Sequence, residues 1–151
     1  MSTVVQTEQL PIIDTLQIPI RIDGNGQELV TLITANENKS IRTLFKIDSG
    51  CNAVLMRRSA LQALGFDTSE AALSKLPDVG ASLSDGSTTA FKQVGEIILI
   101  HGTCRICTVP VICHASKNTR NLLGTSVLHR FNSYKISTRG KAFLELSTHS
   151  L

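Results

Sequence analysis

The strongest constraint on this chain is its rhythm. Short apolar-rich runs recur along it, with turn signals spaced roughly every 8 to 12 residues. Ile18–Pro19–Ile20–Arg21–Ile22 alternates and then meets Asp23–Gly24–Asn25–Gly26, a turn built from residues that tolerate positive φ or bond back to their own backbone. Leu29–Ala35 is the return strand, so residues 18–35 predict a β-hairpin. Asn36–Lys39 turns the chain again, and Ile41–Ile47 forms a third strand that stops at Asp48–Ser49–Gly50. Further strands are expected at Ala53–Met56, Ala81–Leu83, Thr89–Phe91, Val94–Ile100, Cys104–Cys113, Tyr134–Ser137 and Ala142–Leu146. Helical spacing is confined to Ser59–Gly65, closed by a glycine, and to Ser126–Arg130. Asp67–Pro77 carries only a weak helical turn. Many short strands and two short helices predict an all-β domain closed into a barrel.

A chain of 151 residues fits one domain with a real core. Its apolar content, 42%, is aliphatic: aromatics make up 4%, with no Trp. Residues 1–16 show no clear period and are expected to form an arm, with 17–151 as the domain. No apolar run approaches the length needed to span a bilayer, and the first residues show neither a basic nor an apolar signal region. A net charge of +3, with Lys and Arg scattered, offers no basic stripe interleaved with aromatics for nucleic acid. Cys51, Cys104, Cys107 and Cys113 therefore read as reduced thiols in a cytoplasmic protein.

The chemistry concentrates at Phe45–Lys46–Ile47–Asp48–Ser49–Gly50–Cys51–Asn52. An apolar strand carries a carboxylate to the edge of the core. A small hydroxyl residue follows that can bond a facing loop, and Gly50 then lets backbone turn close to the acid. Alone, such a tripeptide marks a strand-end turn as readily as a site. Its flanks add an apolar strand, a short helix, a polar hairpin tip at Ser84–Asp85–Gly86–Ser87, and Asn121–Leu122–Leu123–Gly124 opening a second helix.

With these parts in order, residues 17–147 resemble the retropepsin-like aspartic proteases, especially their bacterial members. The resemblance implies an acid-protease β-barrel and peptide-bond hydrolysis without metal or organic cofactor. It matches Asp48 to the catalytic aspartate, Ser49 to the hydroxyl that locks two catalytic loops together, and Gly50 to the glycine of the loop. Ser84, Asp85, Gly86 and Ser87 fall where the family places its substrate-covering flap. Leu122, Leu123 and Gly124 match the structural motif beneath the loop. Cys51 stands where the family usually has alanine, and the flap tip lacks an aromatic residue.

Aspartic protease chemistry needs two carboxylates sharing a proton, one helping to deprotonate water while the other polarises the scissile carbonyl. The chain holds one Asp-Ser/Thr-Gly; Asp23–Gly24 and Asp85–Gly86 lack the hydroxyl residue. The second aspartate must come from another copy, which a two-fold axis through the site supplies. The expected partners are thus a second copy and an extended peptide, without nucleic acid or membrane. Scarce aromatics predict largely aliphatic subsites. Three other readings compete: a non-catalytic dimerisation or peptide-binding module on the same fold, a zinc site from His101, Cys104, Cys107 and Cys113, and a Cys51 nucleophile with one of four histidines as base. Strand parity argues against zinc, because Cys104 faces away from Cys107 and Cys113.

Overall fold

The computed structural model describes residues 14–83, 90–115 and 119–148. Ten strands are joined in one sheet: β1 (Thr15–Ile22), β2 (Glu28–Asn36), β3 (Lys39–Ile47), β4 (Val54–Leu55), β5 (Asp78–Val79), β6 (Phe91–His101), β7 (Cys104–His114), β8 (Leu122–Leu123), β9 (Tyr134–Thr138) and β10 (Lys141–Ser147). The helices are short: α1 (Arg58–Ala63), α2 (Glu70–Ser74) and α3 (Thr125–Leu128), the last continuing into a 3₁₀ turn at His129–Phe131.

The strand order β6–β7–β4–β8–β3–β2 closes on itself, because Ile33–Ala35 of β2 pair with Ile98–Ile100 of β6. The expected all-β barrel is therefore present, with six strands in the ring. β1 belongs to two neighbourhoods: Thr15–Ile20 pair with β10, and Arg21–Ile22 pair with β2. It begins three residues before the alternation at Ile18 predicts, since Thr15 and Leu16 find partners in Ser147 and Leu146. β9 completes an outer three-stranded sheet through β10.

The predicted first hairpin is present, with Arg21 opposite Leu29. Its turn is held by the Asp23 carboxylate, which accepts from the backbone N–H groups of Asn25 and Gln27, both at 2.9 Å. The weak helical pattern after Asp67 resolves as α2, capped by Ser69, whose hydroxyl accepts from the Ala72 N–H at 3.2 Å. Leu73 of this helix is buried in the core, so tertiary packing stabilises a helix that the local pattern barely supports.

The core follows strand parity. Thr43 and Phe45 of β3 point inward while Leu44 is exposed. The buried Thr43 and Thr34 hydroxyls bond each other at 2.7 Å, so each of these two enclosed polar groups has a partner. In β7, Cys107, Val109, Val111 and Cys113 share the inward face, as their spacing predicts. Ile106 departs from this alternation and is also buried. Leu99 pairs with Cys107 but Ile100 pairs with Arg105, so a bulge gives Ile106 an inward course.

A second irregularity in β6 lies between Gln93 and Gly95. Gly95 has φ +156°, and a Cβ there would sit 2.7 Å from Phe66 Cε1. The Gly95→Ala variant is expected to lose about 1–3 kcal/mol. Urea unfolding would show this as a lower midpoint with an unchanged slope.

Candidate active site

Asp48 leaves β3 at the point where β3 runs parallel to β8, with Lys46 opposite Leu122 and Ile47 opposite Leu123. The Asp48 N–H donates to the Leu123 carbonyl at 3.1 Å, extending this pairing by one bond. The chain then turns: the Cys51 N–H donates to the Asp48 carbonyl at 3.1 Å, and the Gly50 N–H donates to Asp48 Oδ1 at 2.9 Å. The carboxylate is thereby aimed by the loop that follows it. Asp48 is 7% exposed, while Ser49 and Gly50 form the exposed tip of the turn.

Beneath the tip the packing is tight. The Thr125 N–H donates to the Cys51 carbonyl at 2.8 Å. A Cβ on Gly124 would lie 2.3 Å from the Cys51 carbonyl oxygen and 2.4 Å from that of Ala53. Only glycine fits there, because both obstacles are backbone atoms that cannot move without displacing the loop. On the way out, β4 pairs antiparallel with β8 and parallel with β7, so β8 lies between the strands entering and leaving the Asp48 turn.

Two asparagines tie this loop to its surroundings, and linear spacing gave no sign of either role. Asn121 Oδ1 accepts from the Arg57 N–H at 2.9 Å, and its Nδ2 donates to the Leu44 carbonyl at 3.3 Å. One side chain thus bridges the strand before Asp48 and the segment after β4. The Asn52 N–H donates to the Ser82 carbonyl at 3.3 Å, and Asn52 Oδ1 accepts from the Ser82 N–H at 3.1 Å. That exchange joins the Asp48 loop to the chain just before residue 84.

Across the whole domain, the architecture is similar to the crystal structure of a retropepsin-like aspartic protease from Rickettsia conorii. The TM-score is 0.59 at 18% identity, covering 89% of this chain and 94% of that one. The fold is retropepsin-like. It is also similar to the crystal structure of edgp, with a TM-score of 0.54 and 13% identity, covering 90% of this chain but 46% of that one. The sequence matches no protein-family model and no curated protein.

Within this retropepsin-like fold, Asp48, Ser49 and Gly50 sit on one turn, and Leu122, Leu123 and Gly124 lie directly under it. Ser84, Asp85, Gly86 and Ser87 lie outside the described residues. Cys51 is buried in a small apolar cluster with Leu55, Ala81, Phe91, Ile112 and Leu122. Its Sγ donates to the Ala53 carbonyl at 3.4 Å. Burial pushes this thiol above its ordinary pKa, and the neighbouring Asp48 carboxylate adds to the shift. Such a thiol stays protonated at neutral pH, the wrong state for a nucleophile.

The other three cysteines are unbonded, and they are not gathered into a ligand set. Cys107 and Cys113 are buried in the main core, where burial raises both thiols, while Cys104 lies opposite His101 at the end of the β6–β7 hairpin. Among the described residues no three His, Cys, Asp or Glu side chains converge as metal ligands, and no helix is long and apolar enough to cross a membrane.

The Gly124→Ala variant is expected to lose more than about 3 kcal/mol, because the added methyl meets two carbonyls below contact distance. Asn121→Ala removes two hydrogen bonds and is expected to cost about 1–2 kcal/mol. Chemical denaturation of both variants beside the wild type measures the order and the gap.

Proposed function

We propose that this chain is an aspartic endopeptidase that works as a homodimer, with the Asp48 carboxylates of two copies sharing one water. The observation that carries this reading is the Asp48 turn. A single nearly buried carboxylate is oriented by the Gly50 N–H and anchored through Leu123, with the loop seated on Gly124. Ser49 and Gly50 stand exposed beside it, where a second copy can meet them.

The mechanism follows from like charges held close. Two carboxylates about 3 Å apart cannot both ionise readily, so the pair holds one proton and titrates as a unit. The ionised member takes a proton from water as the water attacks the peptide carbonyl. The protonated member donates a hydrogen bond to the carbonyl oxygen and stabilises the charge that develops there. Ser49 would link the two loops and Gly50 would keep their backbones close. Residues 84–87 would cover a peptide bound in extended form, pairing through its backbone. Four unbonded cysteines suit a cytoplasmic location. No metal or organic cofactor enters the scheme.

Wild type, Asp48→Asn and Cys51→Ala, each incubated with a diverse peptide mixture between about pH 4 and 7, provide the test, with products read by mass spectrometry. Cleavage is expected from wild type and from Cys51→Ala, and at least about 10³-fold less from Asp48→Asn. Sedimentation should place the active species at twice the chain mass. Cleavage that survives in Asp48→Asn, or silence from a folded wild-type dimer, would overturn the assignment; the second result would favour a non-catalytic binding module on the same fold.

A further inference from the structure

A groove of about 230 Å³ is lined by Leu29, Leu44, Lys46, Arg57, Arg120 and Asn121, with Leu44 and Lys46 on the strand that leads to Asp48. Side chains alternate along a strand, so Leu44 and Lys46 lead along one face of β3 toward Asp48. At the rise of an extended chain, Lys46 lies about 7 Å from Asp48, roughly two residues along a bound peptide. Arg120 precedes β8, which pairs with β3, and Arg57 is fixed by its N–H to Asn121. Three cations distant in sequence thus line one groove together with Leu29 and Leu44.

Their charges are poorly compensated. Among the described residues, neither Lys46 nor Arg57 forms an ion pair. Arg120 donates to the Gln27 side-chain oxygen, a neutral partner. Of the acids nearby, Glu28 pairs with Lys135 at 2.6 Å, while Asp23 accepts the Gln27 and Asn25 N–H groups and its charge still acts on Arg120. Those N–H groups hold the exposed Asp23 carboxyl below its ordinary pKa, with smaller help from Arg120 and Arg21. Composition predicts aliphatic subsites, and this groove sets Leu29 and Leu44 beside three cations.

We infer that this groove is a specificity subsite for an acidic side chain, Asp or Glu, within about three residues of the scissile bond of an extended peptide. The inference rests on the protease reading of Asp48. A carboxylate there would meet guanidinium and ammonium donors, whose charge-assisted hydrogen bonds are stronger than neutral ones. In an isologous dimer each copy supplies one groove, so acidic preference should appear on both sides of the cleaved bond.

The test uses the full chain and peptides built on a sequence that the wild type cleaves, matched except for Glu or Gln at each of three positions on either side of the bond. Wild type is expected to favour Glu about ten-fold in kcat/KM at one position per side. The ratio should fall toward one in Lys46→Ala/Arg120→Ala and invert for a Lys-containing peptide in Arg120→Glu. Each ratio is taken within one variant, so a lower folded fraction reduces both rates and leaves it readable.

Anisotropy of labelled Glu and Gln peptides on Asp48→Asn protein separates this inference from the protease reading. Cleavage with no Glu preference would overturn the groove alone. Glu-selective binding to a chain whose wild type cleaves nothing would keep the groove and remove the protease assignment. An oligonucleotide that binds and is released by Arg120→Glu, with Glu and Gln peptides undistinguished, would overturn the groove as a peptide subsite.

Discussion

The seat of the Asp48 loop on β8 is the contact on which the rest of the structure depends. β8 is two residues long, yet it pairs with the strand that enters the loop and with the strand that leaves it. Gly124, immediately after, accepts two backbone carbonyls at a separation that no side chain would permit. A loop held on both sides and from below has few conformations left, so its carboxylate arrives at a fixed orientation. The proposed proton transfer would benefit from that preorganisation, because a carboxylate misplaced by about 1 Å loses much of its rate advantage.

The same contact closes the barrel. By lying between β3 and β4, β8 bridges the β2–β3 half to the β4–β7 half, and the β2–β6 pairing completes the ring on the far side. Stability and site geometry are therefore coupled. Substitutions under the loop are expected to weaken the fold and displace the carboxylate together, whereas the side chains of the groove lie outside the barrel core. Asn121 stands at the boundary between these behaviours: its side chain fixes the loop's two roots, and it also lines the cationic groove.

The burial of Cys51 shows how a departure from a familiar pattern is absorbed. Its side chain fills an apolar pocket under the loop and donates weakly to Ala53, so it acts as a small hydrophobe. The same accounting applies to Cys107 and Cys113, which occupy core positions that strand parity assigned to them. Cysteine, here, is a packing residue first.

Alternation and turn chemistry by themselves determined most of the strands, the first hairpin, the inward face of β7 and the turn that carries Asp48. Each of these depends on neighbours within a few residues, where strand periodicity and backbone preference act directly. The early start of β1, the helix at Glu70–Ser74 and the inward turn of Ile106 were decided by distant partners: β10, the core that receives Leu73, and a bulge in the β6–β7 ladder. The anchoring by Asn52 and Asn121 and the gathering of Lys46, Arg57 and Arg120 belong to the same class. Most of these residues are tens of positions from the groups they meet, and no local period links them. Parallel pairing of β3 with β8 brings together chain segments that sequence keeps apart, so only the closed barrel could assemble the surroundings of a carboxylate that the sequence had already marked.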